Sequence, residues 1–234
     1  MKILAIDTAT EACSAALYID GEVMHEYKLA PREHTQLILP MVERLMRTAD
    51  LKMQNLDALS YARGPGAFTG VRIAAGVIQG LSYADDIPVV PVSTLAAIAA
   101  GVYFEHGHRH VLSAIDARMG EVYWGAYRVD DESIELIGDE IVIKPDQIAE
   151  IDSNDYVGAG TGWSEYKGSL QQKFSIDDDK IFSDYLPSAE TIVKLAAHDL
   201  KLGKQMSAHQ AQPVYLRDNV AKKKSAAKQA VVNK

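Results

Sequence analysis

A glycine-rich run followed directly by an apolar segment is the feature that most constrains this sequence. Residues 63–72 are Arg-Gly-Pro-Gly-Ala-Phe-Thr-Gly-Val-Arg, and the apolar segment continues to residue 84. A short apolar run near the start ends in Asp-Thr-Ala-Thr at residues 7–10. Glycines permit tight turns and close backbone approach, and a loop that opens a helix is typical of anion sites. Together the two segments indicate a nucleotide-binding type of scaffold.

The first hundred residues alternate between strand-like and helix-like patterns. Asp20-Gly21 lies between two strand-like runs and predicts a hairpin turn, and Ser93 is expected to cap a helix. The predicted strands are 2–7, 13–19, 22–29, 56–62 and 88–92, and the predicted helices are 34–51, 68–84 and 94–103. Both of the first two helices carry more apolar residues than one core-facing stripe requires.

The pattern of strand, acid, turn and strand begins again after residue 109. This repetition is what a duplicated unit leaves in a sequence, and it predicts an α/β fold of two related domains. The predicted strands are 110–116, 122–129, 134–143 and 155–157, the predicted helices are 145–151 and 188–202, and 158–162 is predicted as a flexible glycine turn. We expect a first lobe at 1–104 completed by 205–220, a smaller second lobe at 105–204, and a basic tail at 221–234.

Composition restricts the partners and the compartment. The formal net charge is −8, and the last sixteen residues hold five lysines and no acid, so residues 1–218 carry −13. A body this acidic repels phosphate backbones, which argues against nucleic-acid binding by this chain alone. Cys13, the only cysteine, is predicted to be a buried, inert thiol. We expect no signal peptide, no membrane span and a cytoplasmic location.

The phosphate-binding candidates lie in three turns. The residues are Asp7, Thr8, Thr10, Gly64, Gly66 and Gly160. In one interpretation the Asp7 carboxylate holds magnesium through water while hydroxyl and N–H groups meet phosphate oxygens. In the other, the acid and the threonines satisfy their own turn, and the glycines only allow close packing. The residues alone favour the second interpretation for Asp7.

Metal and acid–base candidates are weaker. His106, His108 and His110 have suggestive spacing, but Gly107 lies between them and a strand begins at once, so no functional metal is predicted. Asp116 ends the first strand of the second lobe and is a candidate base. It is equally well explained as a turn-forming acid that pairs with Arg118.

Five blocks of the sequence carry a family resemblance. They are residues 6–10, 34–36 with 39–40, 64–72, 116–123 and 213–218, and they fall in the expected order along residues 1–220. With these blocks the chain resembles the TsaB (YeaZ) family, the accessory subunits of bacterial tRNA threonylcarbamoyladenosine synthesis. The resemblance implies a two-lobed actin/sugar-kinase/Hsp70-like (ribonuclease H-like) fold with duplicated mixed-sheet domains.

The resemblance also implies a role and a set of partners. The chain would be a non-catalytic subunit that supports a metal-containing catalytic paralogue, TsaD, with the P-loop ATPase TsaE joining the complex. The product would be N6-threonylcarbamoyladenosine beside the anticodon of tRNAs that read codons starting with A. The chain would meet tRNA only through the complex and form a homodimer when alone, with no cofactor of its own and with room for ATP or ADP at the complex interface.

The expected docking surface lies on the two apolar helices of the first lobe. The predicted interface residues are Leu37, Met41, Leu45, Phe68, Arg72, Gly76, Val77 and Gly80. Arg72 is expected to pair with a carboxylate rather than with a phosphate.

Two departures from the wider superfamily argue against catalysis by this chain. The catalytic paralogue carries two histidines at positions that align with Thr94 and Ile98, and neither of these residues binds metal. Ala9 stands where kinase-like members have glycine, and its methyl group crowds a phosphate. The alternative is a stand-alone ATPase or small-molecule kinase of the same fold, with Asp7 and Asp116 as magnesium and base residues.

Overall fold

Two five-stranded mixed sheets form the framework of the computed structural model, which describes residues 1–131, 133–152 and 155–217. The strands of the first sheet are β1 (Lys2–Asp7), β2 (Ala12–Ile19), β3 (Glu22–Leu29), β4 (Ala58–Ala62) and β5 (Val89–Val92). The strands of the second sheet are β6 (His110–Asp116), β7 (Val122–Val129), β8 (Ile134–Ile143), β9 (Tyr156–Ala159) and β10 (Ile181–Phe182).

The two sheets share one topology. Their strand orders are β3-β2-β1-β4-β5 and β8-β7-β6-β9-β10, so each strand of the first sheet has a counterpart in the second. In both sheets the first three strands pair antiparallel, and the fourth and fifth join in parallel. This match confirms the predicted α/β class and the duplicated, actin-like arrangement of mixed-sheet lobes.

Local sequence explains most of the strands and turns. β1 and β4 are apolar and buried along nearly their whole length, as expected for strands that are covered on both faces. The β2–β3 hairpin turns at Asp20 and Gly21, which have φ angles of 49° and 112°. Such left-handed angles match the strand twist and favour an Asp-Gly pair, so the predicted hairpin is confirmed.

Six helices connect and cover the strands of the described ranges. They are α1 (His34–Thr48), α2 (Phe68–Asp85), α3 (Thr94–His106), α4 (Thr161–Glu165), α5 (Lys167–Phe174) and α6 (Ala189–Lys201). The hydroxyl of Ser93 accepts a hydrogen bond from the Ala96 N–H, and that of Ser188 accepts one from the Thr191 N–H. The predicted N-cap at Ser93 is therefore confirmed, and Ser188 caps α6 in the same way. None of these helices is long and apolar enough to span a bilayer.

Two helices cross between the lobes, which corrects the predicted division of the chain. α6 falls in the predicted second-lobe range 105–204, yet it packs against the first sheet; α3 follows the first sheet but packs against the second. The two helices also contact each other and share one core cluster. The chain then returns to the first sheet, where Met206 forms an antiparallel bridge with Val89. The predicted tail 221–234 lies outside the described residues.

The second lobe contains the main local errors. The predicted helix 145–151 is a single 3₁₀ turn at Pro145–Gln147. The predicted flexible turn 158–162 instead forms the end of β9 and the start of α4. Packing explains this: a side chain on Gly158 would come within 2.4 Å of the Trp163 ring, so the glycine makes room for that buried indole.

Candidate functional site

The glycine-rich turn presses directly against the turn that follows β1. A Cβ atom on Gly66 would lie 2.4 Å from the Ala9 carbonyl oxygen, and one on Gly70 would lie 2.0 Å from the Thr8 carbonyl oxygen. The Ala67 N–H donates to the Ala9 carbonyl at 2.8 Å, and the Thr8 hydroxyl donates to the Gly70 carbonyl at 2.7 Å. The glycines thus permit a close backbone contact, and its polar groups bond to each other.

Asp7 lies beneath this contact and is fully buried. Its Oδ1 accepts a hydrogen bond from the Ala9 N–H at 2.8 Å, whereas Oδ2 has no hydrogen-bond partner among the described residues. Burial raises the pKa of Asp7 from 3.8 to about 7, against the opposing effect of the N–H groups of Ala9 and Thr8. The geometry matches an acid that satisfies its own turn.

A cleft of about 770 Å³ lies between the lobes. Its lining residues come from the turn after β1, the glycine-rich turn and the start of α2, the end of β6 and the turn after it, β7, α4, the segment after β10 and the segment 213–217. They are Ala9, Thr10, Glu11, Pro65, Gly66, Ala67, Phe68, Val71, Arg72, Ile115, Asp116, Ala117, Arg118, Tyr123, Thr161, Ser164, Glu165, Asp184, Val214, Tyr215 and Arg217. The cleft therefore contains two of the six phosphate candidates, Thr10 and Gly66.

The other four candidates lie away from the cleft. Asp7 and Thr8 are buried under the turn. A Cβ atom on Gly64 would lie 3.0 Å from the Val214 carbonyl oxygen, and one on Gly160 would lie 2.4 Å from the Ala114 carbonyl oxygen. The N–H groups of Ala9 and Ala67 already donate to protein acceptors. The residues present at this turn therefore do not fit a phosphate cradle, and the nucleotide assignment stays a prediction.

Asp116 has several partners of its own. Its Oδ1 accepts hydrogen bonds from the Arg118 N–H at 2.8 Å and from the Tyr166 hydroxyl at 3.1 Å. Its Oδ2 pairs with the Arg118 guanidinium at 2.8 Å. The carboxylate is thus a turn-forming, ion-paired acid, the simpler of its two predicted roles.

The three histidines that were considered as metal ligands pack against aromatic rings. His106 stacks on Phe182 with ring centroids 4.6 Å apart, and His108 contacts the same ring at 5.6 Å. His110 packs on Tyr156. Thr94 and Ile98, the positions expected to align with two histidines of the catalytic paralogue, are fully buried. Across the described ranges, no group of three or more His, Cys, Asp or Glu side chains could hold a metal ion.

The exposed face of α2 carries four of the residues that were predicted to form the docking surface. Phe68, Arg72, Gly76 and Gly80 are exposed at four-residue spacing, so they form one stripe along the helix. Nothing lies within 4 Å of the Cβ position of either glycine. Val77 is half-buried beside the stripe. We call Phe68, Arg72, Gly76 and Gly80 the α2 stripe.

The predicted interface on α1 needs correction. Met41 and Leu45 are only 3% and 4% exposed and pack in the core of the first lobe with Ile38. These two residues therefore hold α1 against the sheet and are not available to a partner. Leu37 is half-buried, and Leu39 is exposed. The apolar excess of α1 is mostly core, because the helix packs against both β2 and α2.

Sequence reasoning missed a stack of two aromatic rings and an arginine. The Arg72 guanidinium lies 3.3 Å from the centroid of the Phe68 ring and 5.1 Å from that of Tyr215. In the described part of the chain Arg72 has no ion pair with a carboxylate, contrary to expectation. The i, i+4 spacing of Phe68 and Arg72 could have indicated half of this stack, but the contribution of Tyr215 depends on the tertiary fold.

The segment 213–217 connects two of the family-like blocks. The Val214 N–H donates to the Arg63 carbonyl at 2.8 Å on the first lobe. Arg217 donates to the Ala117 carbonyl at 3.0 Å and pairs with Glu121 on the second lobe. The blocks at 116–123 and 213–218 are far apart in the sequence, but they contact each other in the folded chain.

A second polar contact between the lobes is centred on Glu140. The sequence did not predict it either. The Glu140 carboxylate accepts hydrogen bonds from the Tyr127 hydroxyl at 2.6 Å and from the Ser93 hydroxyl. It also pairs with Arg63 at 3.3 Å. Because Arg63 and Ser93 belong to the first lobe and Glu140 to the second, this buried acid holds the lobes together.

Comparison with known proteins places this architecture in a family. The chain is 45% identical over 230 residues to the Escherichia coli K12 protein named "tRNA threonylcarbamoyladenosine biosynthesis protein TsaB", covering 96% of this chain and 98% of that one. The chain belongs to the TsaB (YeaZ) family. A TsaB protein of Haemophilus influenzae is 36% identical, with 96% and 97% covered.

Solved structures and a family model agree with this membership. YeaZ from Pseudomonas aeruginosa superposes with a TM-score of 0.85 at 44% identity, covering 92% of this chain and 99% of that chain. A second P. aeruginosa structure, described as similar to peptidase YEAZ, gives a TM-score of 0.86 at 43% identity over the same shares of the two chains. The model described as "TsaD: tRNA N6-adenosine threonylcarbamoyltransferase" matches residues 22–225. The TsaB-like chain therefore also resembles the transferase subunit.

Proposed function

We propose that this chain is a non-catalytic subunit in the synthesis of N6-threonylcarbamoyladenosine beside the anticodon of tRNAs that read codons starting with A. It docks onto the catalytic paralogue TsaD through the α2 stripe. The observation that carries this proposal is the pair of exposed glycines, Gly76 and Gly80, in the middle of an 18-residue helix. The names of the TsaB relatives support the pathway.

The two glycines are costly for α2, and none of the described residues of the chain requires them. Each glycine in a helix interior destabilises it by roughly 0.5–1 kcal/mol relative to alanine. The space around both Cβ positions is open, so no neighbouring group of this chain requires their small size. A groove without side chains lets the backbone of a second helix approach closely. Docking therefore explains why glycine occupies these two positions, whereas folding of the chain does not.

The buried and ion-paired residues of the chain support a non-catalytic role. The acid at the end of β1 is buried, and its counterpart Asp116 is paired with Arg118. Thr94 and Ile98 are buried in place of metal-binding histidines. Catalysis would therefore come from the paralogue, and this chain would stabilise and orient it. No described contact favours the alternative ATPase or kinase function.

The remaining partners follow from the same proposal. TsaE joins the complex of the two paralogues in the cytoplasm, and ATP or ADP binds where the subunits meet. The charge of −13 on residues 1–218 supports contact with tRNA through the complex rather than through this chain alone. Without the paralogue, the α2 stripe pairs with a second copy, because a two-fold dimer covers it.

The test introduces a charge into the groove. Gly76→Glu adds a side chain where the monomer has open space, so the variant folds. In the complex the carboxylate is buried without a partner, which costs roughly 3–5 kcal/mol. We expect co-purification with TsaD to be lost and threonylcarbamoylation by the reconstituted complex to fall more than about a hundredfold.

Gly168→Glu provides the matched control. Gly168 is also an exposed helical glycine with nothing within 4 Å of its Cβ position, but it lies on α5 in the second lobe. This variant should bind TsaD as the unmodified chain does. Equal binding by both variants would contradict docking at the α2 stripe. Calorimetry with magnesium-ATP on the chain alone tests the alternative, which turnover that is lost in Asp7→Ala would support.

A further inference from the structure

A short segment near the end of the described chain contacts both lobes, and we call residues 213–217 the strap. On the first lobe, the Val214 N–H donates to the Arg63 carbonyl oxygen at 2.8 Å. The chain just before the strap is held there as well, because the Gln79 side chain donates to the Ala211 carbonyl oxygen at 2.8 Å. Gln79 belongs to α2. The helix that carries the α2 stripe is therefore bonded to the chain that leads into the strap.

The ring of Tyr215 gives the strap a direct contact with the end of the α2 stripe. Its centroid lies 6.2 Å from that of the Phe68 ring and 5.1 Å from the Arg72 guanidinium. Phe68 is 62% exposed and Tyr215 is 46% exposed, so a partner that covers the stripe can cover both rings in one interface. Burial of the Tyr215 ring between a partner and Phe68 restricts its rotamers.

The turn between β6 and β7, residues 117–121, has an unfavourable backbone conformation. Its φ angles are 61° at Arg118, 61° at Met119 and 80° at Gly120. The left-handed region suits glycine, but in other residues it brings the Cβ atom close to the following carbonyl oxygen. Two consecutive residues with side chains therefore cost the chain free energy, which contacts around the turn have to offset. Met119 is 79% exposed, so its own packing contributes little.

Arg217 holds this turn from the strap. Its guanidinium donates to the carbonyl oxygens of Ala117 at 3.0 Å and of Arg118 at 3.4 Å, and it pairs with the Glu121 carboxylate at 2.5 Å. The same group reaches the Met119 sulfur at 3.8 Å. A planar guanidinium bonds several acceptors in a fixed geometry. One side chain of the strap therefore holds both the ends and the middle of the turn.

We propose that the strap transmits partner docking on the α2 stripe to the β6–β7 turn, with Tyr215 as the side chain that contacts the partner and Arg217 as the one that holds the turn. This inference rests on the docking role of the α2 stripe. A docked partner restricts Tyr215 and thereby orders the strap, so Arg217 releases the turn less often. Ordering at one site that lowers the entropic cost of ordering at another couples the two sites. The turn lines the cleft through Ala117 and Arg118, so docking also stiffens one wall of the cleft.

Hydrogen–deuterium exchange of the turn amides measures this coupling. The Ala117 N–H donates to the Glu121 carbonyl oxygen, and the Glu121 N–H donates to the Arg118 carbonyl oxygen. Both amides therefore exchange when the turn opens. In the unmodified chain, saturating TsaD should slow their exchange about tenfold, because a hydrogen bond to a charged group shifts a local equilibrium by about that factor or more.

Two variants interrupt the strap at opposite ends. In Arg217→Ala the turn amides of the chain alone should exchange about tenfold faster or more, and they should no longer respond to TsaD. Tyr215→Ala leaves Arg217 in place, so exchange in the chain alone should not change, but the slowing by saturating TsaD should be lost. Arg217→Lys keeps a cation beside Glu121 without the forked guanidinium and should restore only part of the protection. Amides of β1 and β4 report whether each variant is folded.

Arg128→Ala is the matched control. Arg128 also pairs with a glutamate of the second lobe, Glu135, but it lies at the end of β7 that is away from the turn. Exchange of the turn amides in this variant should equal that of the unmodified chain, both with and without TsaD.

The outcomes separate this inference from the proposed function. Equal exchange of the turn with and without bound TsaD would overturn the role of the strap and leave docking intact. Equal slowing by TsaD in the unmodified chain, Arg217→Ala and Tyr215→Ala would also overturn it, because the protection would then not pass through the strap. Failure of the unmodified chain to co-purify with TsaD would instead overturn the proposed function, and this inference with it.

Discussion

The acids that end β1 and β6 occupy the same place in two lobes of identical topology, yet their surroundings differ completely. Both accept a hydrogen bond from the N–H two residues later at 2.8 Å, so the local turn is the same. Asp7 is buried beneath the glycine-rich turn, and one of its oxygens has no hydrogen-bond partner in the described part of the chain. Asp116 faces the cleft and pairs with Arg118. The two lobes therefore share the same turn but differ in the environment that determines the chemistry of its acid.

The outer helices diverge in the same way. After their third and fourth strands the first lobe has the long helices α1 and α2 with one 3₁₀ turn, whereas the second lobe has two 3₁₀ turns and the short helices α4 and α5. Long helices are what a docking surface requires, because they present several turns of one face. The proposed docking surface therefore lies in the lobe with the longer outer helices, and that lobe is also the one whose first turn is closed by packing.

The largest expected effect concerns the buried acid. The native state holds the Asp7 proton up to a pKa of about 7, whereas the unfolded chain releases it near 3.8. The native state therefore binds more protons between these values, and the free energy of unfolding falls as the pH rises through this window. The difference corresponds to roughly 4 kcal/mol. In Asp7→Asn this part of the pH dependence should disappear, as measured by urea unfolding from pH 4 to 8.

The second-lobe variant Asp116→Asn is the matched control. It removes a cleft-facing ion pair with Arg118, whose side chain is well exposed, so we expect a loss below about 1 kcal/mol. For Asp7→Asn the decisive quantity is the difference in unfolding free energy between the variant and the unmodified chain. The test is whether this difference changes with pH. A difference that stays constant from pH 4 to 8 would contradict the buried, proton-holding carboxyl.

The next effect concerns the glycines that press on the strand ends. Gly70→Ala brings a Cβ within 2.0 Å of the Thr8 carbonyl oxygen, a clash between backbones that cannot relax locally. We expect a loss of about 3 kcal/mol in unfolding free energy. In the second lobe, Gly162→Ala meets the Ala114 methyl group at 2.7 Å and should cost less, about 1–2 kcal/mol.

The same urea experiment contains its own control. Gly76→Ala adds a methyl group in open space on a helix and should stabilise the chain by roughly 0.5–1 kcal/mol. Equal losses in Gly70→Ala and Gly162→Ala would show that the two turns are packed alike. That result would remove the distinction between the contact of Gly70 with a backbone carbonyl and the contact of Gly162 with a methyl group.

The sequence predicted what local chemistry determines. The hairpin at Asp20-Gly21 and the serine caps follow from short-range preferences, and the strands β3, β6, β7 and β8 have the predicted bounds. The glycine-rich turn was correctly placed between β4 and α2. Family resemblance added the duplicated fold, which periodicity alone only suggested.

Tertiary packing determines what the sequence did not show. Met41 and Leu45 have the same periodicity whether they face a core or a partner, so their burial could not be predicted. The exchange of α3 and α6 between the lobes leaves no local signal, since both are ordinary apolar helices. The Arg217–Glu121 pair joins residues 96 positions apart, a contact that only the fold creates.

The smallest expected effect compares the caps of the two exchanged helices. Ser188 and Ser93 each accept one N–H at 3.3 Å, so loss of either cap should cost about 1 kcal/mol. Ser93 also donates to the buried Glu140 carboxylate, which joins the lobes. Ser93→Ala should therefore cost about 1 kcal/mol more than Ser188→Ala. Urea unfolding of both variants measures this excess.

A double-mutant cycle with Glu140→Gln assigns the excess to the contact between lobes. If the Ser93 hydroxyl stabilises the chain through Glu140, the two substitutions should be less than additive. Ser188→Ala should be additive with Glu140→Gln, because among the described residues Ser188 does not bond to that carboxylate and instead caps α6 through the Thr191 N–H. Full additivity for both serines would mean that the caps act alike. The lobes would then be held together by their exchanged helices rather than by the buried acid.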